Sequence, residues 1–209
     1  MEAQLRTLLL QGCDSLKLDL TDEQITLLLD YLELLVKWNK AYNLTSVRDP
    51  VQMVIRHLLD SLAIVKYCNS SRCIDVGTGA GLPGVPLAIV YPDREFLLLD
   101  SNGKKTRFLF QVKTALGLDN INIHHGRVES YQGEQLFEEV FSRAFSSLRD
   151  MVAGCQHLLS DGGVFKAMKG AYPDQELTAI ESVATVKAVH SVIVPGLNEQ
   201  RHLIELTPV

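Results

Sequence analysis

The residues with the clearest capacity for chemistry form a glycine-rich stretch, I-D-V-G-T-G-A-G-L-P-G, at positions 74–84. This pattern predicts a buried strand that enters a tight turn and then a helix, which brings bare backbone and a helix N-terminus close to a ligand. Gly79, Gly81 and Gly84 satisfy the G-x-G-x-x-G spacing of dinucleotide-binding proteins. The spacing alone allows NAD, S-adenosylmethionine (SAM) or a turn without a ligand.

Two acidic residues near this loop favour SAM over NAD. Asp75, Gly77 and Gly79 form a D-x-G-x-G pattern that begins before the first glycine of an NAD fingerprint and is typical of class I SAM methyltransferases. A carboxylate there suits the cationic methionine end of SAM and repels a pyrophosphate. Asp100 ends the next predicted strand about 20 residues on, where it can accept hydrogen bonds from ribose hydroxyls. Its alternative role is to cap a helix that begins near Lys104.

A third candidate segment, G-R-V-E, follows the third predicted strand. From this position a backbone amide at Val128 and the carboxylate of Glu129 can reach the edge of an adenine. Taken alone, a residue such as Glu129 is more often an ordinary surface acid.

Periodicity predicts that helices come first and that a parallel sheet follows. Thr21 begins a T-D-E-Q capping box, and Asp49 with Pro50 starts a second amphipathic helix, so the first 68 residues are predicted to be helical. Short apolar runs then alternate with helical segments, which is typical of βαβ units. The predicted strands are 73–76, 96–100, 121–124, 140–141, 164–168, 189–194 and 202–206. The last two are predicted to form a closing hairpin, with the final strand antiparallel.

Composition sets broader limits on the protein. The chain has 209 residues, 46% of them hydrophobic, which favours a globular protein with a single core. Its net charge of -5 argues mildly against a nucleic-acid partner, because an acidic surface repels phosphate. Its four cysteines lack C-x-x-C spacing, and His124 and His125 have no third ligand at metal spacing, so we expect reduced, structural cysteines and no metal. The absence of a signal peptide or a long apolar run predicts a cytoplasmic protein without a membrane partner.

Several further stretches carry a specific family resemblance. They are K-W-N-K-A-Y-N-L-T-S-V-R-D-P at 37–50, R-H-L-L-D-S at 56–61, S-R-A-F-S-S-L at 142–148, K-A-M-K-G at 166–170 and E-Q-R-H-L at 199–203. Together with the glycine loop, they resemble the RsmG (GidB) family of bacterial 16S rRNA guanine-N7 methyltransferases. The resemblance spans nearly the whole chain.

This resemblance implies an α/β fold of the class I SAM-dependent methyltransferase type. The expected core, residues 69–209, is a single Rossmann-like unit in which helices cover both faces of a mostly parallel seven-stranded sheet, and residues 1–68 form a helical cap. The implied reaction transfers a methyl group from SAM to N7 of a guanine, guanosine 527 in the 530 loop of 16S rRNA. The implied partner is therefore 16S rRNA or the small ribosomal subunit, and we expect the protein to be a monomer.

The resemblance also implies roles for individual residues. The expected SAM contacts are Gly77, Leu82, Val128, Glu129 and Arg143, in addition to Asp75, Gly79 and Asp100 from the loop pattern. The candidates for positioning the substrate are Asn39, Arg48, His57, Arg143, Lys166, Lys169 and Arg201. Guanine N7 carries a free lone pair and no proton, so no general base is expected.

Two other side chains have predicted structural roles. Trp38 is predicted to anchor the cap in the core, and His57 to pair with Asp60 one helical turn away.

Three alternative functions are compatible with the sequence. They are a SAM-dependent methyltransferase acting on another RNA or a small molecule, an NAD-dependent oxidoreductase, and a non-catalytic RNA-binding protein. The oxidoreductase alternative lacks a recognisable proton-transferring residue in a substrate half.

Overall fold

A computed structural model describes residues 2–209 of the chain. Helices make up the segment before the first strand, and further helices alternate with strands after it. The helices are α1 Glu2–Leu16, α2 Asp22–Tyr42, α3 Pro50–Met53, α4 Asp60–Leu62, α5 Gly84–Val90, α6 Gly103–Leu116, α7 Leu148–Cys155 and α8 Asp174–Ala179. A π-helical stretch, Val54–Leu59, joins α3 to α4 without a break.

The helix starts follow the predicted capping pattern. The Thr21 hydroxyl accepts a hydrogen bond from the Gln24 amide at 3.2 Å, and the Gln24 side chain accepts one from the Thr21 amide at 2.9 Å. The Asp49 carboxylate caps α3 by accepting from the Gln52 amide at 3.2 Å, with Pro50 in the first helical position. Both predicted caps are confirmed, because these groups satisfy amide donors that have no partner inside the helix.

One seven-stranded sheet organises the rest of the chain. Its strands are β1 Arg72–Val76, β2 Glu95–Asp100, β3 Ile121–His125, β4 Phe137–Ser142, β5 Leu159–Lys169, β6 Ala184–Ser191 and β7 His202–Pro208. They lie in the order β3-β2-β1-β4-β5-β7-β6. The first five strands are parallel, and β7 runs antiparallel to both β5 and β6. The predicted parallel sheet and closing hairpin are therefore confirmed.

The bounds of β6 differ from the prediction. The sequence predicts a strand at 189–194, whereas β6 ends at Ser191, which pairs with His202. The Val192 amide still donates to the Arg201 carbonyl at 2.8 Å, but Val192 and Val194 lie beyond the paired residues and are buried in the core cluster that contains the cap helices. Their apolar character therefore reflects contact with the cap.

Two apolar clusters lie on the two faces of the sheet. One contains buried residues of α1, α2, α5 and α6, and the other contains those of α7 with residues of β4, β5 and β7. Strand order reverses between β1 and β4, so a crevice opens at their carboxyl ends, where ligands bind in open α/β sheets. Among residues 2–209, no helix is both long and apolar enough to span a membrane.

Candidate active site

The glycine loop leaves β1 in a conformation that requires glycine. Gly77 has φ +67° and Gly79 has φ +63°, a region that other residues rarely adopt. A Cβ added to Gly77 would also lie 2.3 Å from the Cβ of Ala144. The bare backbone at Gly77 therefore keeps open the crevice between the loop and the segment that follows β4.

Asp75 lies beneath the loop and holds it in shape. One carboxylate oxygen, Oδ2, accepts hydrogen bonds from the Thr78 hydroxyl at 2.7 Å and the Gly84 amide at 2.8 Å. The other, Oδ1, is buried and has no hydrogen-bond partner within residues 2–209. Burial raises the pKa of Asp75 to about 6, although these two hydrogen bonds and the positive charge of Arg143 act in the opposite direction.

Asp100 joins the end of β2 to the same loop. Its Oδ2 accepts from the Gly79 amide at 2.8 Å, and its Oδ1 accepts from the Asn102 amide at 2.8 Å. The alternative role of Asp100 as a helix cap is wrong, because Asn102 caps α6 by accepting from the Lys104 amide at 2.9 Å. Asp100 is therefore left at the edge of the crevice.

A cleft of about 310 Å³ opens beside this loop, and we call it the glycine-loop cleft. Four of the predicted cofactor residues line it: Gly77, Asp100, Val128 and Glu129. The structure does not bring Leu82 to this surface, because its side chain is buried in the core cluster on the cap side of the sheet. Leu82 therefore does not line the cleft, and neither do the predicted contacts Asp75, Gly79 and Arg143.

A second cleft, of about 280 Å³, lies between the cap and the carboxyl end of the sheet, and we call it the basic cleft. Its cationic side chains are Arg56, Arg143, Lys169 and Arg201. Arg143 lines the basic cleft and its neighbour Ala144 lines the glycine-loop cleft, so one short segment after β4 separates the two. A molecule in one cleft is therefore adjacent to a molecule in the other.

Carboxylates hold these cations in place. Asp60 is buried and accepts from Arg143 at 2.8 Å and from Arg201 at 3.1 Å. Glu199 bonds Arg201 at 3.1 Å and Arg56 at 2.6 Å. Because both arginines bonded to Asp60 remain partly exposed, each guanidinium keeps donors that can meet an anion in the cleft.

His57 does not pair with Asp60, so that prediction is wrong. Its Nε2 lies 2.9 Å from the Thr45 hydroxyl, and its buried Nδ1 has no partner in the described part of the chain. The π-helical turn around His57 changes the angular spacing that a regular helix would give, and the two arginines occupy Asp60. Burial is the main cause that lowers the pKa of His57 below its usual 6.5.

Lys166 is not available to RNA, which corrects another prediction. It is only 3% exposed, and its Nζ lies 2.7 Å from Glu205 and 3.6 Å from Glu139. Lys166 and Lys169 lie three positions apart on β5, so their side chains point to opposite faces of the sheet. Of these two lysines, only Lys169 lines the basic cleft. Its ammonium forms an ion pair with Glu176 at 2.9 Å.

Asn39 and Arg48 also lie outside the basic cleft. Asn39 is 2% exposed, donates to the Val47 carbonyl at 3.2 Å and accepts from the Thr45 amide at 2.9 Å. Arg48 donates to the Asn43 side chain at 2.6 Å. These residues shape the turn after α2 that places Thr45 against His57.

Trp38 packs in the core as predicted. Its ring centroid lies 5.7 Å from that of Phe108 on α6 and 5.2 Å from that of Tyr42. The bonds of Asp60 to two arginines and the contacts of Thr45 and Glu199 were not predicted from the sequence. The only available signal for Asp60 was a carboxylate on the polar flank of an otherwise apolar helix.

The sequence of the chain matches the family described as GidB, rRNA small subunit methyltransferase G, over residues 24–204. The chain belongs to this family. Proteins named ribosomal RNA small subunit methyltransferase G include one from Saccharophagus degradans, 53% identical over 92% of this chain and 86% of the relative. Another, from Alteromonas mediterranea, is 48% identical over 99% of this chain and 98% of the relative.

Solved structures confirm the fold that this GidB family member adopts. A glycopeptide N-methyltransferase, MtfA, solved with SAM, matches 72% of this chain and 86% of its own with a TM-score of 0.62 and 12% identity. A ribosomal protein L11 methylase from Lactobacillus delbrueckii matches 72% of this chain and 76% of its own with a TM-score of 0.56 and 14% identity. At these identities, the likeness establishes the α/β methyltransferase fold.

Proposed function

We propose that this member of the GidB family transfers a methyl group from SAM to N7 of guanosine 527 in the 530 loop of 16S rRNA, as a cytoplasmic monomer. The observation that carries the proposal is the adjacency of the two clefts. The glycine-loop cleft has residues that can bind a nucleoside, and the basic cleft has cations that can bind phosphate. The consecutive residues Arg143 and Ala144 line one cleft each.

The glycine-loop cleft fits the adenosine and methionine parts of SAM. Asp100, Val128 and Glu129 line this cleft. In this proposal, Asp100 accepts hydrogen bonds from the ribose hydroxyls, and Val128 with Glu129 contacts the adenine edge. The buried Oδ1 of Asp75 is an acceptor without a partner within residues 2–209, and we assign it to the ammonium of methionine. SAM, when bound, supplies a methyl group on a sulfonium, which a nucleophile can attack directly.

The residues of the chain have to align the reactants and need not move a proton. Guanine N7 attacks with a free lone pair, so the reaction needs no general base. It can therefore proceed although the carboxylates of the basic cleft are bonded to arginines and the pKa of His57 is lowered. Holding two reactants in line can lower the activation free energy by about 7–11 kcal/mol. Arg143, Arg201 and Lys169 provide this alignment by binding phosphates beside the target base.

The experiment that tests this function is incorporation of label from tritiated SAM into small ribosomal subunits that lack the modification, with naked 16S rRNA as a parallel substrate. We expect label in the 16S rRNA of at least one of the two. Calorimetric titration with SAM and with NAD addresses the oxidoreductase alternative, and we expect binding of SAM only. Label in neither RNA would contradict the proposal.

A further inference from the structure

A buried cluster of two thiols and one carboxylate lies away from both clefts, toward the amino ends of β1 and β4. Cys68 follows the last helical turn of the cap, Cys73 is the second residue of β1, and Glu139 pairs with Cys73 across the ladder. All three residues are at most 3% exposed. Their ligand atoms lie within 4.8 Å of one another, although the cysteine spacing in the sequence gave no sign of a metal site.

The distances within this cluster match those of a tetrahedral zinc centre. With Zn–S bonds of about 2.3 Å and Zn–O bonds of about 2.0–2.2 Å, tetrahedral angles place two sulfurs about 3.8 Å apart and a sulfur and an oxygen about 3.5–3.7 Å apart. The Cys68 and Cys73 sulfurs are 3.9 Å apart, and Cys73 Sγ is 3.7 Å from Glu139 Oε2. We propose that Cys68, Cys73 and Glu139 bind one Zn²⁺ ion.

Neighbouring groups already orient the carboxylate, as expected around a metal ligand. The Asn69 amide donates to Glu139 Oε1 at 3.2 Å, and Lys166 Nζ lies 3.6 Å from the same oxygen. The main-chain carbonyl of Ser70 lies 3.7 Å from the Cys73 sulfur, at the distance expected for a fourth, oxygen ligand. The same amide also lies 3.3 Å from Oε2 of Glu139, which is the oxygen closest to the Cys73 sulfur and the one that we assign to the metal.

The charge balance of the cluster is compatible with a dication. Without metal, Glu139, Glu205 and the Lys166 ammonium carry a combined charge of about -1. Binding forms two Zn–S bonds and releases two thiol protons to solvent, so Zn²⁺ and two thiolates add no net charge. The site therefore gains a metal without burying a new net charge, which would be costly in an apolar interior.

This zinc site would tie the cap to the sheet. Cys68 belongs to the segment that leaves the cap, and the other two ligands belong to neighbouring central strands. A metal that binds the folded chain and not the unfolded chain raises stability. The inference does not depend on the proposed methyltransferase activity, because neither cleft contains a ligand of this site.

The test is titration of the reduced, chelator-treated full-length protein with Co²⁺, followed by displacement with Zn²⁺. We expect one equivalent of Co²⁺ to produce near-ultraviolet sulfur-to-metal charge-transfer bands and intense visible bands of tetrahedral cobalt, with two protons released per ion. Cys68→Ser and Cys73→Ser should each weaken binding by about tenfold or more. Cys155→Ser, which alters a buried thiol outside the cluster, should bind as the parent does.

A second measurement covers variants that fold poorly. Zn²⁺ should raise the melting temperature of the parent and of Cys155→Ser but not that of a folded Cys73→Ser variant. A parent protein that shows no sulfur-to-cobalt band would overturn the proposal. So would unchanged affinity in both Cys68→Ser and Cys73→Ser, or a Cys68–Cys73 disulfide that forms in preference to metal binding under reducing conditions.

Discussion

The buried carboxylate of Asp60 in the cap accepts a hydrogen bond from Arg143 at the end of β4, at 2.8 Å. The other oxygen of the same carboxylate accepts from Arg201, just before β7, at 3.1 Å. Asp60 therefore fixes two cations from distant parts of the chain relative to each other. It also couples the position of the cap to the floor of the basic cleft.

Replacement of Asp60 by asparagine should impair RNA positioning more than SAM binding. Loss of the charged acceptor should cost about 1.5–3 kcal/mol of unfolding free energy, because Arg143 loses its carboxylate partner and Arg201 keeps only Glu199. We expect a higher KM for RNA and a lower single-turnover rate, with SAM affinity nearly unchanged by calorimetry. Glu199→Gln, which alters an exposed partner of Arg201, should lower stability much less, because water screens the pair. Equal effects of the two substitutions would contradict the special role of Asp60.

Asp100→Ala should weaken SAM binding by about 1.5–3 kcal/mol or more, because a charge-assisted acceptor for the ribose is lost. The substitution also removes the bond to the Gly79 amide, so part of the loss comes from a looser loop. Asp100→Asn keeps one oxygen acceptor and should show a smaller loss. Calorimetry on both folded variants measures the difference, and unchanged affinity in Asp100→Ala would refute the assignment of Asp100.

The two lysines of β5 should behave differently when replaced. Lys169→Glu should raise the KM for RNA, because a phosphate contact is lost. The slope of log RNA affinity against log salt concentration should also become shallower by about one. Lys166→Met should leave RNA affinity unchanged and lower the unfolding free energy by about 3–5 kcal/mol, since two carboxylates lose their buried partner. Salt titrations and urea unfolding separate the two effects. Weaker RNA binding by a folded Lys166→Met variant would contradict the conclusion that buried Lys166 does not contact RNA.

Asp75 should make the ligand-free protein less stable as the pH rises from about 4 to about 6. Burial raises its pKa from 3.8 to about 6, so the unfolded chain loses the proton first and unfolding becomes more favourable across that window. The shift corresponds to about 3 kcal/mol. Asp75→Asn, which cannot ionise, should therefore gain stability relative to the parent by up to that amount between pH 4 and pH 7. A constant difference in urea unfolding across this range would contradict the shifted pKa.

Local sequence patterns predicted the helices and strands well, because helix N-caps, strand hydrophobicity and the glycine turn depend on residues close in sequence. The glycine-loop cleft could be placed for the same reason, since the carboxyl ends of parallel strands meet at one edge. Partners distant in sequence could not be inferred: the pairing of Lys166 with Glu205 depends on the register between β5 and β7. The approach of Cys73 to Glu139 likewise depends on the ladder between β1 and β4.

Identification of the methylated nucleoside distinguishes guanine N7 from every other target atom. Small subunits lacking the modification are incubated with the protein and labelled SAM, the 16S rRNA is digested to nucleosides, and the labelled species is assigned by mass spectrometry. We expect a single labelled product, 7-methylguanosine, mapped to guanosine 527 in the 530 loop. Label in another nucleoside, or in a ribose hydroxyl, would contradict this expectation, because a target with a proton to lose would require a base that this site is not expected to supply.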